Sequence, residues 1–172
     1  MTVFTRRNAL LTGVAGLASL AAVPALVGTG RADEATTHEI KMLNKHPDNN
    51  ERMVFYPSVV RVKVGDTVKF LPENPGHNSA STRGAIPAGA EAWKGRINKE
   101  LEVTMTVPGF YAYNCTPHRA SGMVGMIIVE GPGMMDNMEK VKKTRQVGKA
   151  KKVWESIWET AEAEGMLADY EA

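Results

Sequence analysis

Three side chains able to bind a soft metal stand within one short stretch. In Cys115-Thr116-Pro117-His118-Arg119-Ala120-Ser121-Gly122-Met123 the histidine follows the cysteine by three positions and the methionine follows the histidine by five. A thiolate, a neutral imidazole and a thioether are donors that select copper. A cysteine with two histidines in a trigonal set and a long axial methionine makes a one-electron copper site. His77, in Pro75-Gly76-His77-Asn78, supplies the second histidine just past the end of a strand-like run. His38 and His46 lie in polar surroundings and read as solvated rather than ligating. Taken singly, Cys115 reads as a small buried hydrophobe, Met123 as a core filler and His77 as a surface loop residue. Their joint spacing reverses that reading.

Cys115 is the only cysteine of the 172 residues. Intramolecular disulfides and zinc sites built on two or four cysteines are therefore excluded. A hydrophobic fraction of 43% and a charged fraction of 23% describe an ordinary globular chain.

The elements that position these ligands are mostly strands. Val60, Val62 and Val64 alternate with Arg61 and Lys63, and Val68 and Phe70 resume the alternation after Gly65-Asp66, which predicts a hairpin over 58–70. Leu101, Val103, Met105 and Val107 alternate with polar residues, and Pro108-Gly109 leads into 110–114, which predicts a second hairpin. Shorter strands are expected over 39–43 and 53–56, and the apolar run 124–129 suits a fully buried strand. Many short strands at this spacing predict a two-sheet sandwich, with 74–98 as a long irregular connection. After Gly131-Pro132-Gly133 the pattern turns helical, with Asp136 as a candidate N-cap and a second helix over about 149–164. In that helix Val153, Ile157 and Ala161 form one apolar stripe and Trp154 and Trp158 a second. Lysines at its start and glutamates toward its end oppose the macrodipole, so docking on the sandwich must hold it.

The N-terminus reads as an export signal. Arg6 and Arg7 precede an apolar run over 9–27, and Gly30-Arg31-Ala32 offers a cleavage site after residue 32, with a twin-arginine character. The alternative is an uncleaved membrane anchor, which Gly13, Gly16 and Pro24 disfavour. Removing Arg6, Arg7 and Arg31 from the 21 basic residues leaves 18 against 19 acidic ones, so a nucleic-acid function loses its support from charge.

The chain resembles the small blue copper proteins, or cupredoxins, and within them the pseudoazurins. The resemblance runs from Glu39 into the helical tail. It is carried by Lys41-Met42-Leu43-Asn44-Lys45, Met53-Val54-Phe55, Val64-Gly65-Asp66-Thr67-Val68, Gly76-His77-Asn78, Ile86-Pro87-Ala88-Gly89-Ala90, Cys115-Thr116-Pro117-His118 and Gly122-Met123. It implies an all-β fold with a small α tail: an eight-stranded Greek-key sandwich over 33–132, followed by two C-terminal helices over 133–172 packed on the same domain. It also implies one type 1 copper ion on His77, Cys115, His118 and Met123 in a monomeric periplasmic electron carrier that is not an enzyme. Its implied partners are cytochrome c-type donors and a denitrification reductase such as copper nitrite reductase, with no nucleic acid and no membrane association after signal cleavage.

Around the ligands, Asn78 is expected to tie the two ligand loops together and aim its N–H at the Cys115 sulfur, beside Thr116. Pro117 has no N–H and withholds one donor from that sulfur. Pro117, Ala120, Gly122 and Met123 are expected to form a flat docking patch around His118, flanked by Lys45 and Lys94, which match positions that steer acidic partners in the family. Pro75 and Asn114 stand where relatives often carry lysine, and Lys41 where they often carry histidine, so steering should be weaker or differently centred. Two rival functions remain. A copper enzyme would need further ligands, and only His38 and His46 are left. A periplasmic copper-delivery protein is the stronger rival, because Met123, Met126, Met134, Met135 and Met138 would suit Cu(I) capture.

Overall fold

The computed structural model describes residues 34–171, and the expected export signal lies outside them. Eight strands form two four-stranded sheets. The first has the order β2 (Arg52–Tyr56), β1 (Thr37–Lys45), β4 (Thr67–Leu71) and β6 (Leu101–Thr104). The second has the order β3 (Val59–Lys63), β8 (Val124–Glu130), β7 (Gly109–Asn114) and β5 (Ala80–Ser81). β1 runs parallel to β4 and β3 parallel to β8, and the remaining pairs are antiparallel. This is the expected Greek-key sandwich.

Neither predicted hairpin exists. β3 and β4 belong to different sheets, as do β6 and β7, so both glycine bends carry the chain across the sandwich. Alternation marks which side chains face the core but not which strand lies alongside, and the bends themselves decide that. Asp66 Oδ1 accepts the N–H of Thr36 at 2.8 Å, and Oδ2 accepts the N–H of Lys63 at 2.9 Å and contacts His38 Nε2 at 2.8 Å. The bend also bonds the residue that follows β6, alongside it: Gly65 N–H donates to Met105 O, and Met105 N–H to Asp66 O, each at 2.8 Å. Gly109, at φ 133°, turns the other bend where a Cβ would meet Pro87 and Asn137 Oδ1 within 2.8 Å. His38 is therefore paired rather than simply solvated. His46 accepts the Asp48 N–H through Nδ1 and meets Tyr56 edge-on.

The second sheet is buried on both faces, which accounts for the unbroken apolar run of β8. Tyr111, Tyr113, Ile127 and Val129 point into the sandwich with Phe55 and Phe70. Phe110, Ala112, Val124, Met126 and Ile128 point outward and are covered by the C-terminal tail. Gly125 has no side chain because the Tyr113 ring occupies its Cβ position.

The tail begins with a 3-10 turn, Met134–Asn137, continues as α1 (Met138–Lys142) and ends in α2 (Ala150–Ala163). Asp136 is not the N-cap of α1: it lies inside the 3-10 turn, and Asn137 holds the cap position. The Asn137 side chain bonds the sheet instead, accepting the Phe110 N–H at 2.9 Å and donating to Phe110 O at 2.8 Å. As its charge pattern requires, α2 is held by docking. Ala150, Trp154, Ile157, Trp158 and Ala161 are buried, with Trp158 stacked on Phe110. Arg61 anchors the far end, pairing with Glu130 at 2.6 Å and donating to the carbonyls of Met166 and Ala168.

Burial opposes ionisation of Asp66, but the N–H groups of Thr36 and Lys63, together with His38, hold its carboxyl below the usual range. The unfolded chain therefore takes up that proton first, and stability present above the ordinary carboxylate range is lost as pH falls through the lowered pKa. Asp66→Ala is expected to cost about 2 kcal/mol at neutral pH and to flatten the loss of stability in acid. Urea unfolding of both proteins as a function of pH checks this.

Candidate metal centre

The site forms where the inward face of β7 runs out. The alternation that points Tyr111 and Tyr113 into the sandwich points Cys115 there as well, and the chain then turns back through His118 and a 3-10 turn, Arg119–Ser121, into Met123. The turn is closed by its own backbone. Cys115 N–H donates to Met123 O at 3.0 Å, and Met123 N–H donates to His118 O at 3.1 Å. His77 enters from the loop after β4.

The sequence-predicted ligands converge. Cys115 Sγ lies 3.8 Å from His77 Nδ1 and 3.6 Å from His118 Nδ1, and the two Nδ1 atoms are 3.1 Å apart. Met123 is fully buried in the same cluster as Cys115. Among the described residues, this is the one group of His, Cys, Asp and Glu side chains placed to hold a metal ion. A thiol, two imidazole nitrogens on one centre and a thioether beside them fit copper.

Ring orientation at His77 is set from behind by Asn44, which the sequence reading had only within a family motif. Nε2 of His77 donates to Asn44 Oδ1 at 2.9 Å, leaving Nδ1 as the free lone pair facing the sulfur. Asn44 is itself held through its N–H, donated to Asn74 Oδ1 at 2.8 Å. Burial, then the neighbouring His118, lowers the His77 pKa, which favours the neutral ligand form. Burial pushes the Cys115 thiol up, opposed by the backbone N–H groups of Asn78 and His118.

Asn78 ties the loops as expected. Its Oδ1 accepts the Thr116 N–H at 2.8 Å, and its Nδ2 donates to Thr116 Oγ1 at 3.1 Å and Gly95 O at 2.9 Å. Pro117 and Ala120 are exposed beside the half-buried His118, and Lys45 and Lys94 are exposed. Gly122 and Met123 are not on that surface: both are buried, with Val153 over the missing side chain of Gly122. The methionines suggested for Cu(I) capture are core residues. Met126 and Met134 are 0% exposed, and Met135 and Met138 pack against the cluster under the helices.

The sequence profile of the copper-binding proteins of the plastocyanin/azurin family matches residues 40–130. Pseudoazurin of Paracoccus pantotrophus is 37% identical over 132 residues, covering 76% of this chain and 88% of that protein. The solved structure of a pseudoazurin from Sinorhizobium meliloti superposes with a TM-score of 0.68 at 45% identity, over 75% of this chain and 97% of that one. Native pseudoazurin from Hyphomicrobium denitrificans gives a TM-score of 0.67 at 35% identity, over 72% and 97%.

Asn44→Ala removes the acceptor that orients His77 and is expected to weaken copper binding by about tenfold or more. Competition for copper with a chelator, on a variant shown to be folded, measures it.

Proposed function

The chain belongs to the plastocyanin/azurin family of copper-binding proteins and to its pseudoazurins, and on that premise we propose that it carries single electrons in the periplasm from a cytochrome c-type donor to a denitrification reductase such as copper nitrite reductase. It is a blue copper electron-transfer protein, and His77, Cys115, His118 and Met123 form its type 1 site. Bound copper supplies the one-electron Cu(II)/Cu(I) couple.

The observation that carries the proposal is the unequal exposure of the ligands. His77, Cys115 and Met123 are each 0% exposed, whereas His118 is only half-buried. Its Nδ1 faces His77 and the Cys115 sulfur, and among the described residues none hydrogen-bonds its Nε2. Electrons enter and leave through this ring, and Pro117 and Ala120 beside it make a small apolar landing surface. Three buried ligands, fixed by packing and in the case of His77 also by Asn44, leave little to rearrange between oxidation states. Lys45 directly follows Asn44, and Lys94 pairs with Ala80 at the sheet edge. They add positive charge that steers an acidic partner toward the ring. The expected leader at 1–32 fits export. No described helix is long and apolar enough to cross a membrane.

The double variant K45E/K94E is expected to slow oxidation of the reduced protein by copper nitrite reductase by about tenfold at low ionic strength. The deficit should shrink as salt screens the charges. Stopped-flow traces across a salt series measure it. Equal rates for the two proteins at every ionic strength would remove these lysines from the docking surface.

A further inference from the structure

We propose that the C-terminal tail is a clamp on the copper loop, with Arg119 and Gly148 as the positioning residues that fix the path from His118 to Met123. The proposal rests on the type 1 reading above and adds to it a second element that shapes the site.

Four residues, Arg119 to Gly122, separate two ligands. Within the turn they are bonded only to near neighbours: Ser121 N–H to His118 O at 3.0 Å and Gly122 N–H to Arg119 O at 3.1 Å. Among the described residues, every hydrogen bond leaving these four for a distant part of the chain goes to the segment joining α1 and α2. Arg119 Nη2 donates to Arg145 O at 2.8 Å and reaches the buried Gln146 Oε1 at 3.4 Å. Lys149 N–H donates to Ala120 O at 2.9 Å. Gly148, at φ 57°, lies so close that an added Cβ would collide with Ala120 O. From α2, Val153 covers Gly122, whose own Cβ would be 3.1 Å from Val153 Cγ2.

The bonds from Met123 to Cys115 and His118 close the turn at its ends, and the four residues between rely on the tail for their hydrogen bonds beyond the turn. Here the segment 145–153 grips it at its beginning, middle and end, and that segment is in turn fixed by α2 docked on the second sheet. The consequence concerns Met123 first. As the thioether that would donate weakly to bound copper, it would tune the potential through its placement, and its placement is set by the turn that the tail holds. His118 also gains, because Arg119 follows it directly.

Gly148→Ala and Arg119→Lys test this without changing net charge; the first forces the segments apart, and the second keeps the cation but removes the guanidinium whose Nη2 reaches both Arg145 O and Gln146 Oε1. Both are expected to shift the reduction potential and the Cu(II) paramagnetic spectrum and to speed copper loss to a chelator by about tenfold. In the metal-free protein both are expected to speed amide exchange at Gly122 and Met123. Val68→Ala, which opens space in the first sheet away from the tail, serves as the control, with a lower melting temperature and an unchanged spectrum. An unmoved potential, spectrum and amide exchange in the folded variants would overturn the clamp, as would an equal shift in Val68→Ala. If Gly148→Ala does not fold, Arg119→Lys decides. A wild-type protein without a type 1 spectrum would instead overturn the copper-site reading, and the exchange data would still judge the clamp.

Discussion

A thiolate at Cys115 sits against an apolar sandwich core that offers its charge no water, so burial by itself drives the sulfur toward its protonated form. The N–H groups of Asn78 and His118 oppose this in part, and a bound cation supplies the rest. The rest of the structure follows from that requirement. The sulfur must be dry and fixed, yet one ligand has to reach solvent for electrons to pass. Burying His77, Cys115 and Met123 while leaving His118 partly exposed meets both conditions.

The fold meets them by using both faces of one sheet. The alternation along β7 that sends Tyr111 and Tyr113 inward delivers Cys115 to the same interior, and the outward residues Phe110 and Ala112 receive the helical tail. T-shaped contacts of Tyr113 with Phe55 at 4.8 Å and Phe70 at 5.2 Å stiffen the ground beneath the cysteine. Asn44 and Asn78 then join the two ligand loops, one from behind His77 and one across to Thr116.

Much of this was legible in the residues. The spacing of Cys115, His118 and Met123 together with His77 identified the donor set, because few residue types bind soft metals. Strand alternation identified the core faces, since period two survives any choice of partner. The same alternation could not distinguish a hairpin from a bend between sheets. That choice rests on the Asp66 carboxylate and on the bonds between Gly65, Asp66 and Met105, which join segments far apart in sequence. Asn44 is a polar residue on a strand, with nothing local to show that it faces a histidine 33 positions on. Gly122 looked like an open, small surface residue, but α2 covers it, and only the docked tail reveals that. Asp136 had the right chemistry for a cap but lost the position to Asn137, whose amide serves the sheet.

The central claim is that these four side chains impose a trigonal thiolate-bound geometry on copper, and the visible and paramagnetic spectra of the Cu(II)-loaded protein test it most directly. The account predicts an intense blue thiolate-to-copper band with a narrow copper hyperfine splitting. A pale solution with the wide splitting of ordinary tetragonal copper would contradict it.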